Sequence, residues 1–138
     1  NFINDRAAIY IMIAGSGIGL CLSGAQNTSS MLISIALLLL CFLLTVKICL
    51  TANVSETFIV LSYVLFGWLA VLPSVGLIMP TKFSEGIQFW LLLSGGLAYS
   101  AGTAFYVRDK PWDHAVWHVL VMVGFGLHLA GCYVCLNT

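Results

Sequence analysis

The sequence predicts an all-α integral membrane protein, and three features of its composition and order carry that prediction. Of its 138 residues, 61% are hydrophobic and 7% are charged, whereas soluble domains carry about 25% charged residues. The apolar residues form long unbroken runs, which favour helices over strands. Five such runs are separated by polar segments, so we expect one domain built as a bundle of five transmembrane helices.

The first two predicted helices cover residues 7–22 and 31–50. The first follows a polar start that contains Asp5. Its Gly15 and Gly19 have the G-x-x-x-G spacing that lets another helix approach closely. The second helix is almost purely aliphatic and follows an uncharged polar loop.

The remaining three predicted helices cover residues 57–79, 87–106 and 112–136. Pro73 lies inside the first of them and predicts a kink, and residues 80–86 predict a turn. The last of them follows the most charged loop of the chain. Small residues form a seam along the helix 87–106, which favours close packing, and they are Gly95, Gly96, Ala98 and Gly102.

The lysine and arginine residues near the helix ends predict the orientation of the bundle. One side holds four of them and the other side holds Lys82. Because the side richer in lysine and arginine faces the cytoplasm, we expect a cytoplasmic N-terminus and an outside C-terminus. The four residues on the cytoplasmic side are Arg6, Lys47, Arg108 and Lys110.

The charge, the first residues and the cysteines of the sequence argue against nucleic-acid binding, a signal peptide and a redox motif. The net charge is zero, which gives no electrostatic basis for binding nucleic acid. The sequence begins without methionine and has no basic segment followed by a cleavage site, so we expect an upstream part and no signal peptide. Cys132 and Cys135 form a single C-x-x-C, a weak metal or redox signal, and burial as small apolar residues is the stronger expectation.

Two histidines at the start of the last apolar run are the strongest candidates for a binding site. His114 and His118 are four residues apart, so a helix places them on the same face. Imidazole nitrogens suit zinc, and a pair at this spacing can supply two ligands. The spacing leaves an alternative open, in which the two rings hydrogen-bond loop carbonyls or lipid headgroups.

Asp5 is the candidate general base for such a metal site. In the zinc protease pattern H-E-x-x-H a glutamate follows the first histidine, but here Ala115 stands in its place. The base must therefore come from another helix, and Asp5 starts the first run on the same predicted side of the membrane. Asp113 is interpreted as a loop residue. The alternative for Asp5 is a helix cap or an ion pair with Arg6.

A third metal ligand is not apparent in the sequence. His128 lies ten residues after His118, about 15 Å further along the helix, so it cannot share the metal. We expect His128 to make an interhelical hydrogen bond. Because a catalytic zinc takes three protein ligands and one open position, we expect the third ligand to lie upstream of this sequence.

These residues belong to a longer pattern that resembles the hemolysin III family, which is grouped with the progestin and adipoQ receptors. From His114 to His128 the sequence reads H-A-x-W-H-x-x-V-x-x-G-x-x-x-H, a specific pattern. Residues 5–16, 67–71 and 102–106 also resemble the family, so that the resemblance extends over the whole chain.

The resemblance implies a protein of seven helices with its N-terminus inside, of which this chain supplies helices three to seven. In the family, two histidines of the final helix bind zinc together with a histidine of helix two, and the first two match His114 and His118. An aspartate of helix three, held near the metal through water, matches Asp5. The helix-two histidine lies outside this sequence.

Three functions are compatible with these features. The first is zinc-dependent hydrolysis of a lipid amide or ester that arrives from the bilayer, as the resemblance to ceramidase-like relatives implies, with Asp5 moving the proton. The second is a membrane receptor or signalling scaffold with structural zinc. The third is the cytolytic pore that the family name implies, although runs two to four lack the polar stripe that a pore needs. Membrane lipids are the expected partners.

Overall fold

The chain is all-helical in the computed structural model, which describes residues 2–24, 28–51, 53–71, 86–108 and 110–138. Each helix corresponds to one of the apolar runs. In chain order they are α1 (Phe2–Gly24), α2 (Thr28–Leu50), α3 (Glu56–Val71), α4 (Ile87–Arg108) and α5 (Asp113–Leu136).

The predicted helix boundaries coincide with the observed ones at residues 50, 87 and 136, whereas the predicted helix 7–22 begins five residues earlier, at Phe2, and ends at Gly24. The predicted helix 31–50 begins at Thr28. The predicted helix 87–106 continues to Arg108, and the predicted helix 112–136 begins at Asp113. The predicted helix 57–79 is α3 as far as Val71, and the rest of it, including Pro73, lies outside the described residues. The predicted turn 80–86 is described only at Gly86, which has a φ of 74°, a left-handed conformation that glycine adopts without steric cost.

The core consists of two apolar clusters. The larger one joins α1, α2 and α3, and a buried hydrogen bond between the hydroxyls of Tyr10 and Ser62 ties α1 to α3. The smaller one joins α3, α4 and α5 and contains Cys132 and Cys135. Both cysteines are buried among apolar side chains, as expected for small apolar residues. The larger cluster contains Tyr10, Ile13, Cys41, Ile59, Tyr63 and Phe66.

The most extensive contact between two helices is that of α4 with α5. Two members of the predicted small-residue seam, Gly95 and Gly102, lie directly against α5, whereas Gly96 lies against Trp68 of α3. A Cβ atom on Gly95 would lie 3.1 Å from the backbone oxygen of Gly124, and one on Gly102 would lie 3.4 Å from Trp117. Neither helix could pack this closely with larger residues at these positions.

The surface of the helices is largely apolar. On α2 and α5, large hydrophobic side chains more than one-third exposed recur along the length of each helix, a pattern that marks contact with lipid or another protein. On α2 they include Leu32, Ile35, Leu39, Leu40, Phe42 and Leu43, and on α5 they include Val119, Met122, Val123, Leu129, Tyr133 and Leu136.

Within the described residues, α5 is the helix that is both long and apolar enough to cross a membrane. Its 24 residues extend about 36 Å at 1.5 Å per residue, which exceeds a hydrocarbon core of about 30 Å. Shorter apolar helical stretches lie at Ala7–Gly19 and Glu56–Leu69. The structure thus supports one membrane-crossing helix, and the topology of five crossings stays a prediction.

Candidate metal centre

His114 and His118 come together at the start of α5, as their spacing predicts. Their Nε2 atoms lie 3.0 Å apart, and their rings meet edge to face with centroids 4.6 Å apart. Both side chains are exposed on the described chain. At this distance one Nε2 donates a hydrogen bond and the other accepts it, so two potential ligand nitrogens converge.

The separation of the two Nε2 atoms fits a shared zinc ion. Zinc–nitrogen bonds are about 2.0–2.1 Å long, so a tetrahedral ion holds two nitrogen ligands about 3.3 Å apart. The observed 3.0 Å between His114 and His118 is within a few tenths of an ångström of that value. The donor set present, two imidazoles, is therefore chemically and geometrically suited to supply two of the ligands.

Trp117 supports both histidine rings from the side of the bundle core. Its side chain is 3% exposed, and its ring centroid lies 4.5 Å from that of His118 and 5.3 Å from that of His114. Tyr106 of α4 contacts the same indole, with the two ring centroids 4.9 Å apart. Sequence reasoning missed this positioning role, although the tryptophan directly before His118 is part of the recognised pattern.

Asp113 is the first residue of α5 and is buried, so its interpretation as a loop residue was wrong. Its carboxylate accepts two hydrogen bonds from the Arg108 guanidinium, at 2.6 and 2.7 Å, and a third from the backbone N–H of Lys110 at 3.1 Å. This bidentate geometry and the N-terminal end of the helix dipole both favour a carboxylate here. Asp113 therefore joins the end of α4 to the start of α5.

Arg108 lies beyond the predicted span 87–106 and remains half exposed. Its hydrogen bonds to the Asp113 carboxylate raise the pKa of its guanidinium. Both carboxylate oxygens of Asp113 are thereby occupied, which leaves this acid poorly placed to ligate a metal or to take a proton. The ion pair instead fixes the turn that immediately precedes His114.

Replacing Asp113 is expected to loosen that turn. Asp113→Asn removes the charge and one of the two strong acceptors, so we expect the melting temperature of the full-length protein in detergent to fall by a few degrees. Arg108→Lys is the matched change on the other member of the ion pair. It keeps the charge and loses the bidentate geometry, so it should lower the melting temperature less than Asp113→Asn does. A parent-like melting curve for Asp113→Asn would show that the ion pair does not hold the α4–α5 turn.

The structure does not place the side chain of Asp5. Its backbone lies in the first turns of α1, which packs against α5, but its side chain is outside the described residues. Within the described part of the chain, no three side chains from His, Cys, Asp and Glu converge to form a metal site. The catalytic assignment of Asp5 and the third ligand therefore remain predictions.

His128 makes the interhelical hydrogen bond that its position predicts. Its Nε2 lies 3.1 Å from the backbone oxygen of Leu92 on α4, and its side chain is 4% exposed. It does not join His114 and His118, since it lies ten residues beyond the second of them.

Comparison with known proteins places the chain among related membrane proteins. The family described as Haemolysin-III related matches residues 3–129. The chain is 34% identical over 128 residues to the hemolysin-3 homolog of Bacillus subtilis (strain 168), an alignment that covers 88% of the chain and 56% of that protein. It is 39% identical over 66 residues to hemolysin-3 of Bacillus cereus, covering 46% of the chain and 28% of that protein.

The chain thus spans little more than half the length of the first of these relatives. No solved structure matches it.

Proposed function

Since the chain belongs to the hemolysin III family, we propose that its full-length protein holds a zinc ion near the cytoplasmic face and hydrolyses a lipid amide or ester. His114 and His118 supply two of the ligands, and a residue outside the described part of the chain supplies the third. The observation that carries this proposal is the 3.0 Å separation of the two Nε2 atoms, which matches a shared tetrahedral ion.

Each residue of the site has a separate role in the proposed hydrolysis. A bound zinc lowers the pKa of a coordinated water toward about 7 and polarises a carbonyl. His114 and His118 hold the ion, and Trp117 keeps both rings in place. Asp5 takes the proton from the attacking water and returns it to the leaving amine or alcohol. Asp113 is unsuited to that task because Arg108 occupies both of its oxygens.

A lipid is the substrate class that the surroundings of the site support. The helices expose apolar side chains along their lengths. A substrate that approaches the histidines from the side of the helix bundle therefore comes through the lipid bilayer. The proposal includes the topology: five crossings by α1 to α5, with the N-terminus of this chain in the cytoplasm and its C-terminus outside, as the distribution of lysine and arginine indicates.

Asp5→Asn tests the hydrolase in the full-length protein, purified in detergent with zinc bound. Hydrolysis of a fluorescent long-chain N-acyl amide is expected to fall about 100- to 10,000-fold, the usual contribution of a general base, while the zinc content stays at the parent level. Glu56→Gln is the matched control, since it also converts an acid to an amide at a helix start on the same predicted side, and it should keep the parent rate.

Two results would contradict this assignment. A parent rate in zinc-loaded Asp5→Asn would exclude Asp5 as the base. A zinc-loaded parent that turns over neither lipid amides nor lipid esters would exclude hydrolysis and favour a receptor or scaffold with structural zinc.

A further inference from the structure

Each histidine of the candidate metal centre directly follows a buried residue of α5. His114 follows Asp113 and His118 follows Trp117, and both preceding residues are buried. Residues four apart share one stripe of a helix, and consecutive residues lie about 100° apart around it. A buried stripe of Asp113 and Trp117 therefore runs beside the exposed stripe that carries the two histidines.

The orientation of the two exposed histidine rings depends on Trp117. Within the described residues, the ring contacts of each histidine are with the other histidine and with Trp117. An exposed side chain samples several rotamers and loses that freedom when it binds a metal. Contacts that already restrict the rings reduce this loss and tighten binding. The position of Trp117 therefore decides how well the pair is prepared for an ion.

Two residues of α4 that lie one turn apart, Gly102 and Tyr106, hold Trp117 in its position. A Cβ on Gly102 would lie 3.4 Å from Cδ1 of the indole, so the glycine lets the indole approach the α4 backbone closely. The Tyr106 ring meets the indole at 50°, with the centroids 4.9 Å apart. Tilted aromatic rings at this distance attract each other beyond the apolar area that they bury. The indole is thus fixed against α4 at two points.

The hydroxyl of Tyr106 makes a separate contact at the surface. It donates to the exposed Glu56 carboxylate at 3.2 Å. An exposed hydrogen bond of this kind contributes little, because water competes for both groups. The ring and the hydroxyl can be tested separately, since Tyr106→Phe removes the hydroxyl and keeps the ring.

We propose that Tyr106 is a positioning residue for the metal centre: its ring holds Trp117 against His114 and His118, so that both imidazoles are oriented before zinc binds. Tyr106 itself contacts neither the ion nor a substrate. The inference rests on the zinc site of the proposed function and does not depend on hydrolysis. It gives α4 a role in a site whose two described ligands both lie on α5.

Tyr106→Leu tests the proposal, because it keeps an apolar side chain and removes the ring. Zinc affinity is measured on the folded full-length protein in detergent, by competition with a chelator of known affinity. Loss of a residue that orients metal ligands weakens metal binding about 10- to 100-fold. Tyr106 acts through one intervening side chain, so we expect a loss of about tenfold. Tyr106→Phe should bind zinc as the parent does.

Phe89→Leu is the matched control. It makes the same kind of change at a half-buried aromatic residue of α4 that lies about 25 Å away along the helix. It can lower the melting temperature through lost packing, but the folded protein should bind zinc with the parent affinity. Because Tyr106 acts through Trp117, combining Tyr106→Leu with Trp117→Phe should weaken zinc binding less than the product of the two single effects.

Several results would overturn this role. They are a parent-like zinc affinity in Tyr106→Leu, an equal loss in Phe89→Leu, and an equal loss in Tyr106→Phe, which would assign the effect to the hydroxyl. Tyr106→Met, which fills more of the same space, replaces the leucine variant in the comparison if that variant does not fold. A parent that binds zinc without hydrolysing lipids would leave the role intact, whereas a folded parent without zinc would overturn it together with the metal centre.

Discussion

Zinc bound to the full-length protein is expected to fall from about one ion per chain to almost none when His118→Ala removes one of the two converging imidazoles. A zinc ion that has lost one of three protein ligands keeps two, fewer than either structural or catalytic sites provide. The measurement is metal analysis by mass spectrometry on protein purified in detergent without added zinc. His118 is exposed on the described chain, so its truncation leaves the described core clusters intact.

His128→Gln is the matched control for that experiment. It also removes an imidazole from α5, but at a position too far along the helix to reach the same ion, so its zinc content should equal that of the parent. If a well-folded parent carries no zinc, the hydrolase proposal fails. His114 and His118 would then be interfacial hydrogen-bonding residues, and a receptor or scaffold without hydrolysis would become the leading function.

The helices could be predicted from sequence because their chemical contrast with the loops is large. Runs of about 16 to 25 apolar residues bounded by polar ones predict the helical type and the approximate position of each element, although α1 begins five residues before its predicted start. The observed start of α4 at Ile87 and the observed end of α5 at Leu136 coincide with the predicted ones. The spacing of four residues likewise placed His114 and His118 on one face, since helix geometry fixes that relation.

The contacts around the histidine pair could not be predicted in the same way. The pairing of Arg108 with Asp113 crosses a turn, and no periodic pattern marks which of several charges in a charged loop will meet. The burial of Trp117 between the histidines and Tyr106 depends on how closely α4 approaches α5. Such contacts follow from helix packing, which a sequence without a known partner helix does not specify.

The small-residue patterns also show that the sequence did not predict which helices would pack closely. The G-x-x-x-G spacing in α1 predicted close approach at Gly15 and Gly19, yet a Cβ on Gly15 would meet nothing within 4 Å among the described residues. Gly19 has an ordinary contact of 3.8 Å with Cys132. Much closer contacts lie instead at Gly95 and Gly124, on two helices that are adjacent in the chain. Small residues permit close approach, but the partner helix decides where it occurs.

Gly95→Ala is expected to destabilise the protein more than the same methyl addition at Gly96 or Gly102 of the same helix, where a Cβ would meet its nearest atom at 3.4 and 3.3 Å. The new Cβ would lie 2.3 Å from Cδ2 and 2.5 Å from Nε2 of His128, and 3.1 Å from the Gly124 backbone oxygen. His128 must move, which breaks its bond to Leu92, or the helices must separate. Overpacking of this kind costs about 1–3 kcal/mol, which exceeds the gain of about 0.5–1 kcal/mol from replacing a helical glycine by alanine.

Thermal denaturation of the full-length protein in detergent measures this effect, with Gly126→Ala as the matched control. A Cβ on Gly126 would meet nothing within 4 Å in the described part of the chain, so that variant should be as stable as the parent or slightly more stable. If Gly95→Ala also melts like the parent, the His128 ring is not seated against Gly95. The close approach of α4 to α5 at Gly95 and Gly124 would then not contribute to the stability of the protein.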